Sequence, residues 1–213
     1  MKENLNDLRV NYNKFELNEE DLSNDPFDLF KNWFEIARQE KEILEPNAMI
    51  LATVNENSQP SARVVLLKEY NSEGFVFFTN YNSKKGRELV QNPNASILFF
   101  WESLFRQIRI EGVASKVSRE ETELYFNSRP YESRIGAIAS NQSSMLDSRN
   151  TLEKKYSELQ EMYPDNPSCP ENWGGFILKP EYFEFWQGRQ SRLHDRVIYK
   201  LKEKVWEIGR LYP

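Results

Sequence analysis

The chain has 213 residues, 39% hydrophobic and 14% aromatic, and this share of Trp, Tyr and Phe excludes a chain disordered throughout. Lys and Arg total 28 against 33 Asp and Glu, a net charge of −5, which excludes a general nucleic-acid coat, since that function needs a basic field. Any anion must therefore be held by a local cluster, and the length suits one β-rich or α+β domain better than two very small ones.

Residues 1–24 are rich in Asn, Asp, Glu and Lys and read as a flexible N-terminal segment, too polar to order itself alone. The opening residues hold no apolar core of signal-peptide length and no run approaches 18 apolar residues, so the expectation is a soluble cytoplasmic protein without a membrane span. A single domain is expected over 25–213. Asp25-Pro26 should open a helix, because Asp caps and Pro suits the first helical position, and Phe27, Phe30, Phe34 and Ala37 recur at helical spacing to about Glu42. From Ala48 the period changes: 48–54, 61–70 and 74–80 are β-branched or aromatic runs separated by turn residues, as in consecutive antiparallel strands. Ser83 should cap a short helix over 84–91, closed by Asn92-Pro93. Strands over 95–102 and 106–118 follow, joined by a hairpin-sized turn, then helices over 120–126 and 148–163. Beyond a Pro-rich loop at 164–170, three segments from Trp173 onward supply the last strands. An antiparallel barrel decorated with helices fits this order better than a doubly wound sheet.

No two of the eight glycines stand two positions apart, so G-x-G-x-x-G is absent, and a single His and a single Cys exclude disulfide frameworks and His/Cys zinc sets within one chain. Four clusters remain, each with an ordinary structural explanation beside the functional one. Arg63 and Lys68 bracket an apolar run; five positions apart on a strand they face opposite sides and would serve different sites, or they are solvated strand ends. Thr79 to Lys85 passes from a strand into a helix start, where two lysines beside free N–H groups would seat a phosphate. Lysines in a first turn oppose the helix dipole, so something negative nearby would resolve the conflict; a solvated turn is the alternative. Tyr125, Arg129 and Ser133 are donors suited to phosphate, although Arg at a helix end is also ordinary dipole compensation. Arg192, His194, Asp195 and Arg196 gather beside Trp186 and contain the one His, in a segment too polar to be core.

Taken in order, these clusters resemble the pyridoxine 5′-phosphate (pyridoxamine 5′-phosphate) oxidase family. The likeness is carried by R-V-V-L-L-K from Arg63, F-F-T-N-Y-x-S-K-K to Lys85, Q-I-R-I-E-G from Gln107, F-N-S-R-P-x-x-S-x-I-G around Arg129, S-x-Q-S-S around Gln142, W-G-G-F, E-F-W-Q-G and R-L-H-D-R. The resemblance implies a mainly β (α+β) fold, an FMN-binding split β-barrel of Greek-key topology with peripheral helices, acting as a homodimer with FMN between subunits. It implies that Arg63, Lys84, Lys85 and Ser143 hold the FMN phosphate, that Gln107, Gln142, Trp186 and Arg196 surround the flavin and ribityl chain, and that Val64, Val65, Leu66, Leu67, Lys68, Phe78 and Thr79 complete the cofactor site. Lys68, Tyr125, Arg129 and Ser133 would bind the substrate phosphate. Arg192, Leu193 and His194 would face the pyridine ring, with Arg192 and His194 catalytic, and Arg9 and Tyr12 would belong to a lid.

The implied reaction oxidises pyridoxine 5′-phosphate or pyridoxamine 5′-phosphate to pyridoxal 5′-phosphate while O₂ becomes H₂O₂, with no metal, nucleic acid or membrane involved. Some relatives carry Arg where this chain has Lys84, replacing a bidentate fork by a point charge, and residues 189–191 receive no role. A flavin reductase on the same barrel would leave Tyr125, Arg129 and Ser133 without a purpose, and a non-catalytic FMN or pyridoxal phosphate binder would not turn over.

Overall fold

The structure is a computed structural model that describes residues 11, 12 and 15–213; Arg9 lies outside them. Helix α1 spans Pro26–Gln39, with the Asp25 carboxylate accepting the Phe27 N–H at 2.9 Å. Its apolar stripe, Leu29, Phe30, Trp33, Phe34 and Ala37, is buried. Phe30 meets Phe99 edge-on at 5.3 Å and Trp33 meets Phe185 at 5.4 Å. The helix stops at Gln39 rather than Glu42 because nothing beyond Ala37 has an apolar face to bury, and Leu44 is 92% exposed.

Among the described residues the strands are β1 (Ala48–Val54), β2 (Pro60–Leu66), β3 (Glu69–Asn71), β4 (Gly74–Asn80), β5 (Asn94–Trp101), β6 (Arg106–Lys116), β7 (Trp173–Gln187), β8 (Asp195–Lys202) and β9 (Val205–Arg210). They form one sheet in the order β2-β1-β5-β6-β7-β4-β3, with β8 pairing β7 and β9. β7 is antiparallel to β4 through Phe75↔Leu178 to Asn80↔Trp173, and farther along to β8 through Tyr182↔Lys200 to Gln187↔Asp195. The run expected as one strand over 61–70 breaks at Leu67-Lys68, where the Lys68 N–H turns to the Val76 carbonyl. The turn after β5 is a 3-10 turn over Glu102–Leu104, with Phe105 in the left-handed region.

The remaining helices are α2 (Lys84–Gln91), α3 (Arg119–Ser128), α4 (Tyr131–Ala139) and α5 (Arg149–Met162). α2 begins where Ser83 Oγ accepts the Gly86 N–H at 3.2 Å. α4 was not expected; Pro130 ends one helix and starts the next, its carbonyl accepting from Ser133 and Arg134. No helix among the described residues is long and apolar enough to cross a membrane.

The chain divides into two compact units. The first holds the described residues up to Ile50 with Ile97–Glu111 and Pro180–Pro213; the second holds Leu51–Ser96 and Gly112–Lys179. In the first, Leu17 is buried and its N–H donates to Asp195 at 3.1 Å, while the Tyr199 hydroxyl donates to the Ser23 carbonyl at 2.9 Å. Burial pushes the Tyr199 hydroxyl up to about 12.

Candidate active site

The second unit contains a cavity of about 590 Å³. Lys68, Lys85 and Arg129 line it and no Asp or Glu does, which in a chain of net charge −5 is the local cationic cluster that the composition requires. Its wall is aromatic: Phe78 stacks on Tyr125 at 3.9 Å and on Trp173 at 5.5 Å. Arg129, first residue beyond α3, lies over the Trp173 ring at 4.8 Å, a cation–π contact. Its Nη1 is buried without a hydrogen-bond partner, and burial pushes the guanidinium pKa down. Ser133, in the first turn of α4, lines the same space.

Lys85 enters from α2 because the Ser83 cap places it in the first turn. Gly86 permits this close start: a Cβ there would stand 2.3 Å from the Tyr81 carbonyl oxygen. Lys85 Nζ donates to Gln142 Oε1 at 2.9 Å and to Thr79 Oγ1 at 3.2 Å, and Thr79 donates to Gln142 at 3.0 Å. All its partners are neutral. Burial, then the neighbouring Arg63 charge, lowers the Lys85 pKa; an anion beside the ammonium would oppose both effects.

Val64, Val65 and Leu66 line the cavity, while Leu67 is buried. Arg63 does not line it. Its Nη1 donates to the Leu51 carbonyl at 3.0 Å and to Thr53 Oγ1 at 2.5 Å, and its Nη2 to Ser61 Oγ at 2.5 Å and Glu88 Oε2 at 3.2 Å. Arg63 and Lys68 thus serve different surroundings, though not by the strand alternation expected, since β2 ends at Leu66 and the chain breaks before Lys68. Lys84 Nζ is 3.9 Å from Glu88 Oε1, so the negative group near the two lysines is a helix residue that the sequence reading passed over. The i, i+4 spacing from Lys84 is the signal that could have found it. Ser143 is exposed, with φ 69°, on the loop that carries Gln142.

In the first unit, Tyr12, Trp186 and His194 form an aromatic cluster: His194 lies 4.5 Å from Trp186 and 5.4 Å from Tyr12, ring centre to ring centre. His194 Nδ1 accepts the Arg189 N–H at 3.0 Å, so in the neutral ring Nε2 carries the proton. Burial and then the Arg192 charge lower the His194 pKa, against the opposing pull of Asp195. Arg189, assigned nothing from the sequence, also pairs with Asp195 and Glu16, each at 2.9 Å. It lines a cavity of about 450 Å³ with Tyr12, Phe15 and Leu193. Arg192 is exposed with φ 62°, following Ser191 at φ 56°. Arg196 is held by Glu184 at 2.7 Å, and Arg109 reaches the same carboxylate at 2.6 Å. Burial raises the Glu184 pKa, but hydrogen bonds from Arg196 and Arg109 outweigh it and keep the carboxyl below its usual range. Gln107 stands half-buried on β6.

A family model described as pyridoxamine 5′-phosphate oxidase matches residues 36–163, and one described as the pyridoxine 5′-phosphate oxidase C-terminal dimerisation region matches residues 173–213. A Burkholderia lata protein named pyridoxine/pyridoxamine 5′-phosphate oxidase is 52% identical over 212 residues, covering 98% of this chain and 99% of its own. Among solved structures, PhzG from Burkholderia lata 383, in complex with tetrahydrophenazine-1-carboxylic acid, aligns with a TM-score of 0.87 at 30% identity, covering 93% of this chain and 98% of its own. A pyridoxamine 5′-phosphate oxidase-related, FMN-binding protein from Nostoc punctiforme aligns with a TM-score of 0.70 at 17% identity, covering 87% and 96%, a likeness of fold.

Proposed function

This chain belongs to the pyridoxamine 5′-phosphate oxidase family, and on that premise we propose that it oxidises pyridoxine 5′-phosphate or pyridoxamine 5′-phosphate to pyridoxal 5′-phosphate, reducing O₂ to H₂O₂. The family makes it a flavoprotein oxidase of split-barrel fold with FMN as cofactor. The observation that carries the substrate reading is the Arg129 Nη1, buried without a partner in a cavity with Lys68 and Lys85 and no carboxylate. A buried unpaired guanidinium N–H is costly unless an anion meets it.

The residues present fit FMN and a phosphorylated ring. Lys85 has only neutral partners and a pKa depressed by burial, and Phe78, Tyr125 and Trp173 offer a stacked planar wall. Arg63, Lys84, Lys85 and Ser143 would hold the cofactor phosphate, with Val64 to Lys68, Phe78 and Thr79 completing that site. Gln107, Gln142, Trp186 and Arg196 would meet the ring system and ribityl chain. Lys68, Tyr125, Arg129 and Ser133 would take the substrate phosphate. When bound, FMN supplies the two-electron acceptor that O₂ afterwards reoxidises. The chain's own residues bind and orient. Arg192 would lie against the pyridine ring and hold the exocyclic carbon in position for hydride transfer. His194, fixed as the Nε2–H tautomer by the Arg189 N–H, would offer a hydrogen-bond donor rather than a base. Leu193 would pack on the substrate ring, and Arg9 and Tyr12 would cover it. Amine oxidation additionally consumes water and releases ammonia. The match of residues 173–213 to a dimerisation region supports a homodimer.

The likeness to PhzG supports a second reading, oxidation of a carboxylated polycyclic ring. Assaying H₂O₂ and product with pyridoxine 5′-phosphate, pyridoxamine 5′-phosphate and tetrahydrophenazine-1-carboxylic acid separates the two. Aldehyde formed from the first pair is expected; turnover of the third alone would replace the proposal.

A further inference from the structure

We propose that Glu88 is an internal anion of the cofactor-phosphate seat: it engages Arg63 and Lys84, and the FMN phosphate must compete with it for these cations. The inference rests on the reading that Arg63, Lys84 and Lys85 hold that phosphate.

Glu88 is 3% exposed, and its burial is compensated lopsidedly. Oε2 accepts from Thr53 Oγ1 at 2.5 Å, Ser61 Oγ at 2.8 Å and Arg63 Nη2 at 3.2 Å. Oε1 is buried without a hydrogen bond, its nearest cation being Lys84 at 3.9 Å. Burial raises the carboxyl pKa, yet the two hydroxyl bonds and the charges of Arg63 and Lys84 bring it below the usual range, so Glu88 is anionic.

The network occupies both terminal nitrogens of Arg63. Each of the four Nη hydrogens has an acceptor, Leu51 O, Thr53, Ser61 or Glu88, so a guanidinium fork aimed at a phosphate must first surrender bonds. An ion pair also acts on a distant charge only as a dipole, so Glu88 cancels much of the attraction Arg63 would exert. Of the three seat cations, Lys85 alone has neutral partners only. Glu88 also offsets the charge of Lys84, one of two lysines at the N-terminal end of α2 that the helix dipole disfavours. It therefore competes with a bound phosphate for Arg63 and Lys84. This competition acts only on a flavin that carries a phosphate.

Titration of the apoprotein with FMN and with riboflavin, followed by flavin fluorescence, tests this. In Glu88→Gln the amide oxygen can still accept from Thr53 and Ser61 while the charge is gone. FMN should bind about tenfold more tightly, the scale of one charge-assisted bond no longer broken, and riboflavin should bind as to wild type. Weaker or unchanged FMN binding would overturn the inference. If wild type binds FMN and riboflavin equally, the phosphate seat itself fails and the inference goes with it; a wild type that prefers FMN alongside a Glu88→Gln that binds it no better sinks the inference alone. Should the variant not fold, a crystal structure of the wild-type FMN complex decides: the Arg63–Glu88 contact should be open with the phosphate on Arg63, and a retained contact overturns the proposal.

Discussion

At the residue scale, the single histidine is a built-in probe. The Arg189 N–H occupies His194 Nδ1, so nitrogen NMR should show an unprotonated Nδ1 and a protonated Nε2 at neutral pH; a proton on Nδ1 would refute the donor role. The His194 pKa is lowered on folding, so the unfolded chain binds more protons just below the ordinary value of about 6.5. Stability from this group is therefore whole above that pH and declines as pH falls toward the folded pKa. Melting temperature should drop between about pH 7 and 5, and less so in His194→Gln. Lys85→Ala should release FMN, because one lost charged hydrogen bond costs about 1.5–3 kcal/mol, roughly 10- to 150-fold in affinity; retention of stoichiometric flavin by Lys85→Ala in titration would argue against its place in the seat. The motifs made Lys85 and Arg129 legible. Glu184 was not, since a carboxylate that works by holding arginines looks like any surface acid until burial is known; Arg189 was not, since its contacts to Glu16, Asp195 and His194 exist only in the fold; and Glu88 was signalled only by its i, i+4 spacing from Lys84.

At the element scale, local chemistry decided which boundaries could be read. α2 was predicted from Ser83 to Asn92 and forms there, because a side-chain cap and a following Pro are local signals. α1 opened where its Asp-Pro start indicated, but its end depended on which residues found a core. The break at Leu67-Lys68 was invisible in a continuous apolar run, since only pairing with β4 creates it. α4 lies outside the helices predicted over 120–126 and 148–163 because its start is marked only by Pro130, a residue that ends a helix as readily as it opens one. α2 also links stability to the seat. Ser83→Ala should cost about 1 kcal/mol, the usual loss of an N-cap, and weaken FMN binding more than riboflavin binding, as Lys84 and Lys85 lose their fixed turn. Thermal melts of the apoprotein with paired flavin titrations check this, and equal weakening for both flavins would place the effect outside the phosphate seat.

At the scale of the whole molecule, a net charge of −5 coexists with a cavity lined by three cations and no acid, so anion recognition is local rather than a property of the overall field. The match of residues 173–213 to a dimerisation region predicts a homodimer, and sedimentation across falling protein concentrations should show FMN loss together with dissociation; a monomer that keeps its flavin would separate the two. The substrate assignment depends most on whether the Arg129 cavity reads a phosphate ester. The direct measurement is kcat/KM for pyridoxamine 5′-phosphate against unphosphorylated pyridoxamine, in wild type and in Arg129→Ala with FMN bound. Wild type should prefer the phosphate strongly, and Arg129→Ala should lose about 10- to 150-fold on the phosphorylated substrate, through KM, with little change on the other. Equal use of both substrates by wild type, or an Arg129→Ala enzyme with the preference intact, would contradict the assignment.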